Sequence, residues 1–236
     1  MLNRVYELET AIFRSSAKEG ELTETLKQAK FGLRQARIAQ VEYGGIRAFA
    51  DRLSGKYADK VELLSRDVRK AEAELSVLEG QLEAQHRILS SLQEQRTSLP
   101  PLPQLQTEET KDLWAPLERR YCAECLLPLL DKVEGALTEY RQMLRGEYPI
   151  LSLSEQSAIG SAPIAAAEKC RVLLERLEAV QALPETGFFR SPAAFLAAAA
   201  FLAAAARHNQ LERAAEADAQ IRKLKSQLTR LLQSES

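Results

Sequence analysis

Three observations in the sequence predict an all-α fold, a long antiparallel coiled-coil hairpin followed by a smaller helical bundle. One heptad register runs without a skip from Val5 to Leu92, and 20 of its 26 a and d positions are apolar when Tyr is counted so. The register weakens at Gln40, Arg47 and Ser54, three successive polar a positions that lie beside Gly44, Gly45 and Gly55. The composition, with 6% aromatics and only ten Gly and nine Pro in 236 residues, suits helix throughout and argues against a β-rich or disordered chain.

The first arm runs from Leu2 to Glu42 and the second from Tyr57 to Arg96. At 1.5 Å per residue each spans roughly 60 Å. An apolar stripe that narrow stays dry only against a partner helix. Each interior Gly costs about 1 kcal/mol relative to Ala, so the chain breaks most cheaply at Gly44 and Gly45. Equal arms around that break favour a hairpin over a continuous rod in a parallel dimer. In an antiparallel pair an a residue faces a d residue, so paired residue numbers share a constant sum. Sums of 90 and 97 both obey the rule, and 97 is preferred. It sets Ala36 against Val61 and Ala29 against Val68, alternating small and large side chains. The hairpin occupies residues 1–98.

Residues 99–106 form a Pro-rich linker, because Pro100, Pro101 and Pro103 lack backbone donors and hold the chain extended. The spacing also matches PxxP, which a linker reading absorbs. Residues 107–236 form the bundle, with a long C-terminal helix. Thr107 or Thr110 caps a helix containing Trp114 and Pro116. Pro128 should kink or split the run from Glu118 to Arg145, and Gly146 and Pro149 should stop it. After a loop, Ser161 and Pro163 begin a helix reaching about Leu183. Ser191-Pro192 begins the last helix, about forty residues long. It opens with two copies of Phe-Leu-Ala-Ala-Ala-Ala, whose bulky residues face two directions and suit a central helix. Its later part is amphipathic through Ile221, Leu224, Leu228 and Leu231.

Few residues suggest chemistry. Cys122 and Cys125 have zinc-like spacing but no second ligand pair, and nothing strand-like precedes them as a redox motif requires. They share a helix face with Leu126 and Leu129 and read as buried thiols. His86 and His208 are isolated, and no Gly-rich phosphate loop is present. Glu19 and Gln85 lie in the seam, where polar residues specify register. Lys27, Lys30, Arg34 and Arg37 form a basic stripe on the first arm, answered by Glu72, Glu74, Glu79 and Glu83 on the second. Without interleaved aromatics that stripe is a solvated or self-complementary face rather than a nucleic-acid site.

Charge is balanced, 16 basic and 15 acidic residues before Gln104 and 16 and 18 after it, so no half is a polycation. The opening residues lack the apolar core of a secretory signal, and the longest apolar run, Ala193 to Ala206, is too short to span a bilayer. Three cysteines make no disulfide framework, which points to a reducing, cytoplasmic location. The expectation is a non-enzymatic scaffold or adaptor that binds protein partners through coiled-coil and bundle contacts and forms homo-oligomers. Leu75, Leu78, Leu82, Leu89 and Leu92, the most apolar end of the seam, are the expected interface. No catalytic residue, metal, cofactor, small-molecule substrate or nucleic acid is expected. The alternative is a membrane-associated hairpin that assembles on bilayers, which rests on analogy of outline alone.

Overall fold

The computed structural model describes residues 1–43, 45–148, 151–184, 186–196 and 204–234. Every regular element among them is helical. They divide into two compact units, one of residues 11–99 and one of residues 1–10 with 100–236.

In the first unit, α1 (Leu2–Glu42) and α3 (Tyr57–Thr97) supply two antiparallel arms. Cross-arm contacts establish the pairing. Gln85 Nε2 donates to Ser15 Oγ at 2.6 Å, and His86 Nδ1 lies 2.9 Å from Glu19 Oε1. Gln40 Nε2 donates to Ser65 Oγ at 3.2 Å, Lys30 meets Glu79 at 3.5 Å, and Arg37 meets Glu72 at 2.8 Å. The polar seam residues Glu19 and Gln85 thus bridge the arms. The register differs from both sequence-based alternatives. The two ion pairs join e positions and sum to 109, which belongs to a core sum of 104, one heptad beyond 97. The bend explains the shift. It is an extra helix, α2 (Gly45–Leu53), packed on α3, rather than a tight pivot. The small-to-large alternation survives, since this register sets Ala29 against Leu75, Leu33 against Ala71 and Ala36 against Val68. Tyr43 stacks on Tyr57 with ring centroids 6.0 Å apart, and the Arg52 guanidinium lies 4.5 Å over the Tyr57 ring. Gly55, at φ +75°, makes the final turn into α3, where a side chain would be strained.

The second unit is organised around α5 (Lys111–Arg145). A short α4 (Leu102–Leu105) and a 3₁₀ turn (Glu108–Thr110) lead into it. Thr107 and Thr110 form a reciprocal capping box around that turn, and the Trp114 indole donates to the Thr107 carbonyl at 2.9 Å. Pro128 does not split α5. Its ring is exposed, so the missing hydrogen bond falls on the side that water can reach. Buried Cys122, Cys125, Leu126, Leu130 and Val133 anchor the turns around it. Gly146, at φ +72°, ends the helix in a left-handed cap.

The next helix also starts earlier than the sequence reading placed it. α6 (Leu153–Glu168) begins at Ser152, whose hydroxyl accepts from the Glu155 N–H while the Glu155 side chain accepts from the Ser152 N–H. Pro163 lies inside it, and a break at Lys169-Cys170 separates it from α7 (Arg171–Glu178). Ser191-Pro192 starts only a single turn, α9 (Pro192–Phe195), preceded by α8 (Gly187–Arg190). The Ala-rich repeat falls largely outside the described residues, though Leu196 is fully buried. The last helix, α10 (Ala204–Ser234), packs along α5 and completely buries Ala214, Ala217, Ile221, Leu224 and Leu228. Each such Leu or Ile contributes about 1.5–3 kcal/mol relative to exposure. A flank of charge borders this contact, with Lys225 reaching both Asp131 and Glu134 at 2.6 Å and Arg141 reaching Asp218 at 3.3 Å. Phe188 is fully buried, edge-on to Phe189 and Phe195, and its N–H donates to Gln220 Oε1 at 3.0 Å.

Candidate functional site

The densest polar cluster lies inside the second unit, around Glu118 in the second turn of α5. Its carboxylate is 3% exposed and accepts five hydrogen bonds. Arg176 of α7 provides two, from Nε at 2.6 Å and Nη2 at 3.1 Å. Tyr6 donates its hydroxyl to Oε2 at 2.7 Å, and Gln106 Nε2 donates to the same oxygen at 3.0 Å and to the Tyr6 hydroxyl at 2.7 Å. The Cys122 thiol, one turn along α5, reaches Oε1 at 3.5 Å. The Arg176 guanidinium also lies 4.7 Å over the Tyr121 ring.

The electrostatics follow from burial. Desolvation, then the hydrogen bond and charge of Glu118, raise the Tyr6 phenol well above its usual range. Desolvation and the Glu118 charge raise the Cys122 thiol in the same direction. Burial alone opposes the charge on Arg176, but its hydrogen bonds to Glu118 outweigh that and hold the guanidinium more firmly protonated. A buried, protonated thiol is a poor nucleophile and a poor metal ligand. Cys125 is equally buried, and burial pushes Cys170 up to about 12. Among the described residues no group of three or more His, Cys, Asp or Glu side chains could hold a metal ion. No buried side-chain polar atom there lacks a partner. The cluster is therefore a clamp that joins the start of α1, the chain at Gln106, α5 and α7. Sequence reading missed it, because its partners lie 12, 58 and 112 residues from Glu118.

The sequence-predicted interface has a different setting. Leu75, Leu78, Leu82 and Leu92 are half-buried and Leu89 is buried, all on the stripe of α3 that opposes α1 of the same chain. Their register partners are Ala29, Leu26, Leu22, Ser15 and Ile12. The basic stripe is partly answered within the hairpin, where Lys30 and Arg37 pair with Glu79 and Glu72. His86 meets Glu19, and His208 meets Glu212 one turn along α10. Several large apolar side chains instead face outward from the arms. Phe31 is 64% exposed, Val41 83%, Val77 58% and Ile88 52%. On α2, Phe49 and Leu53 are also exposed. A groove of about 410 Å³ runs beside Leu33, Arg34, Ile38 and Val41.

No protein-family model, no curated protein and no solved structure matches this chain.

Proposed function

We infer that the chain is a non-enzymatic scaffold or adaptor, a coiled-coil hairpin joined to a helical bundle that works through protein–protein contacts and self-associates. The observation that carries the reading is the group of large apolar side chains exposed within three turns of α1, Phe31, Ile38 and Val41, to which α3 adds Leu63, Val77 and Ile88 singly. Grouped exposed apolar residues on a helix mark contact surfaces. The seam leucines, Leu75 to Leu92, act first within the chain by closing the hairpin, and their contribution to assembly is to hold those outward faces straight. Three buried cysteines, none in a disulfide among the described residues, accord with a cytoplasmic location.

Sedimentation velocity of the purified chain over a wide concentration range tests this reading. The weight-average mass should rise above that of a monomer as concentration increases. A mass that stays monomeric throughout would contradict it.

The bilayer alternative draws on Phe49 and Leu53, exposed beside Arg52 and Lys56 at the bend. Among the described residues no helix is long and apolar enough to cross a membrane, so any such contact would be at the surface. Flotation with anionic liposomes at low salt separates the two readings, since the scaffold reading predicts that the chain stays at the bottom of the gradient.

A further inference from the structure

Two exposed stripes on the hairpin have complementary sequences. On α1, positions 27, 31, 34, 38 and 41 follow 4-3-4-3 spacing on the side away from the seam. On α3, positions 60, 63, 67, 70 and 74 follow 3-4-3-4 spacing along one flank. Read antiparallel, every opposed pair shares one constant sum, 101. Lys27 then meets Glu74 and Arg34 meets Asp67. Between them Phe31 meets the stem and ammonium of Lys70, a pairing that aromatic faces favour. Further along, Ile38 meets Leu63 and Val41 meets the aliphatic stem of Lys60. A shift of one heptad keeps one ion pair but mismatches other positions. A sum of 108 sets Arg34 against Glu74 yet Ile38 against Lys70 and Val41 against Asp67. A sum of 94 sets Lys27 against Asp67 yet Arg34 against Lys60, and a parallel match sets Arg34 against Lys70. The antiparallel register at 101 is the complementary one.

We propose that these stripes are the two halves of an interface between copies of this chain, with α1 of one hairpin docking antiparallel on α3 of the next. The inference rests on the reading that the chain acts by self-association. Both stripes are available. Phe31 is 64% exposed, Leu63 45% and Ile38 38%, and the charged members are exposed as well. Arg34 and Asp67 make no ion pair among the described residues. Lys27 and Glu74 have only one-turn partners on their own helices, Glu24 at 3.2 Å and Lys70 at 3.9 Å, contacts of the kind that exchange freely in water. The groove beside Arg34, Ile38 and Val41 gives an incoming Leu63 a seat. The stripes lie on different helices and different faces, so each copy offers one of each and the contact repeats head to tail.

Charge reversal tests the interface. Lys27→Glu with Arg34→Glu makes all four ion-pairing positions of one variant, 27, 34, 67 and 74, acidic, and Asp67→Lys with Glu74→Lys makes the same four positions basic in the other. Sedimentation should show that each variant alone loses the concentration-dependent rise in mass while retaining wild-type helicity by circular dichroism. Their equimolar mixture should recover it, because acidic then meets basic at every contact, and added salt should reverse the recovery. The single changes Arg34→Glu and Asp67→Lys, run the same way, replace any double variant that loses helicity. Wild-type chains that self-associate while the variants do so equally, or a mixture that recovers nothing, would overturn this interface and leave the scaffold reading standing. A wild-type chain that stays monomeric would overturn both.

Discussion

Glu118 shows how a single buried carboxylate can tie distant parts of a helical unit together. Its carboxylate draws on α7, on Gln106 and on Tyr6 near the start of the chain, so removing its charge strands the Arg176 guanidinium. Breaking a buried pair typically costs 3–5 kcal/mol. Arg176 is 31% exposed, so Glu118→Gln should lose about 3 kcal/mol in urea unfolding. Tyr6→Phe removes two hydrogen bonds, the one Tyr6 donates to Glu118 and the one it accepts from Gln106, while Gln106 still reaches Glu118 directly, and should lose about 1–2 kcal/mol. Equal losses would contradict the clamp. The buried thiols and phenols make a second prediction. Burial raises Cys170 from 9.0 and Tyr140 from 10.0, each to about 12, and moves Tyr6, Tyr121 and Cys122 the same way. Raised values mean that the fold favours the protonated forms. This contribution is complete below about 9, where the unfolded groups are still protonated, and is lost as pH climbs towards about 12. Thermal melts should show Tm falling across that window, and a flat Tm would contradict it. The buried thiols at Cys122 and Cys125 were legible from their helical spacing with Leu126, but the clamp was not, because no local pattern announces a hydrogen bond spanning 112 residues.

At the scale of elements, legibility followed signal density. The arms were readable to within a residue because thirteen heptads repeat one period, and α1 and α3 end at Glu42 and Thr97. The pairing register was not, since the constant-sum rule is unchanged by a shift of seven and the sequence does not say how many residues the bend consumes. The start of α6 was present as Ser152-Leu-Ser-Glu155, a capping box, but Ser161 followed by Pro163 resembles a helix start just as strongly. Pro128 sits exposed within an unbroken helix, where its cost is an unmade hydrogen bond rather than a lost core contact. Pro128→Ala should therefore stabilise the chain by about 1–3 kcal/mol in urea unfolding. Destabilisation would mean that the local geometry Pro128 imposes is needed for α5 to meet α10.

For the whole molecule, the central claim is that the seam closes within one chain and leaves the outward faces of the arms for other copies. Lys30 and Glu79, 3.5 Å apart across the arms, can report on it in the unmodified protein. Carbodiimide joins an amine to a carboxylate with no spacer, so only directly opposed residues couple. Isotope-labelled and unlabelled chains, mixed before coupling, separate links within a chain from links between chains by mass. The account predicts a Lys30–Glu79 link between residues of the same label. A Lys30–Glu72 link in its place would restore the pairing at 97, and a Lys30–Glu79 link found chiefly between labels would contradict the hairpin itself.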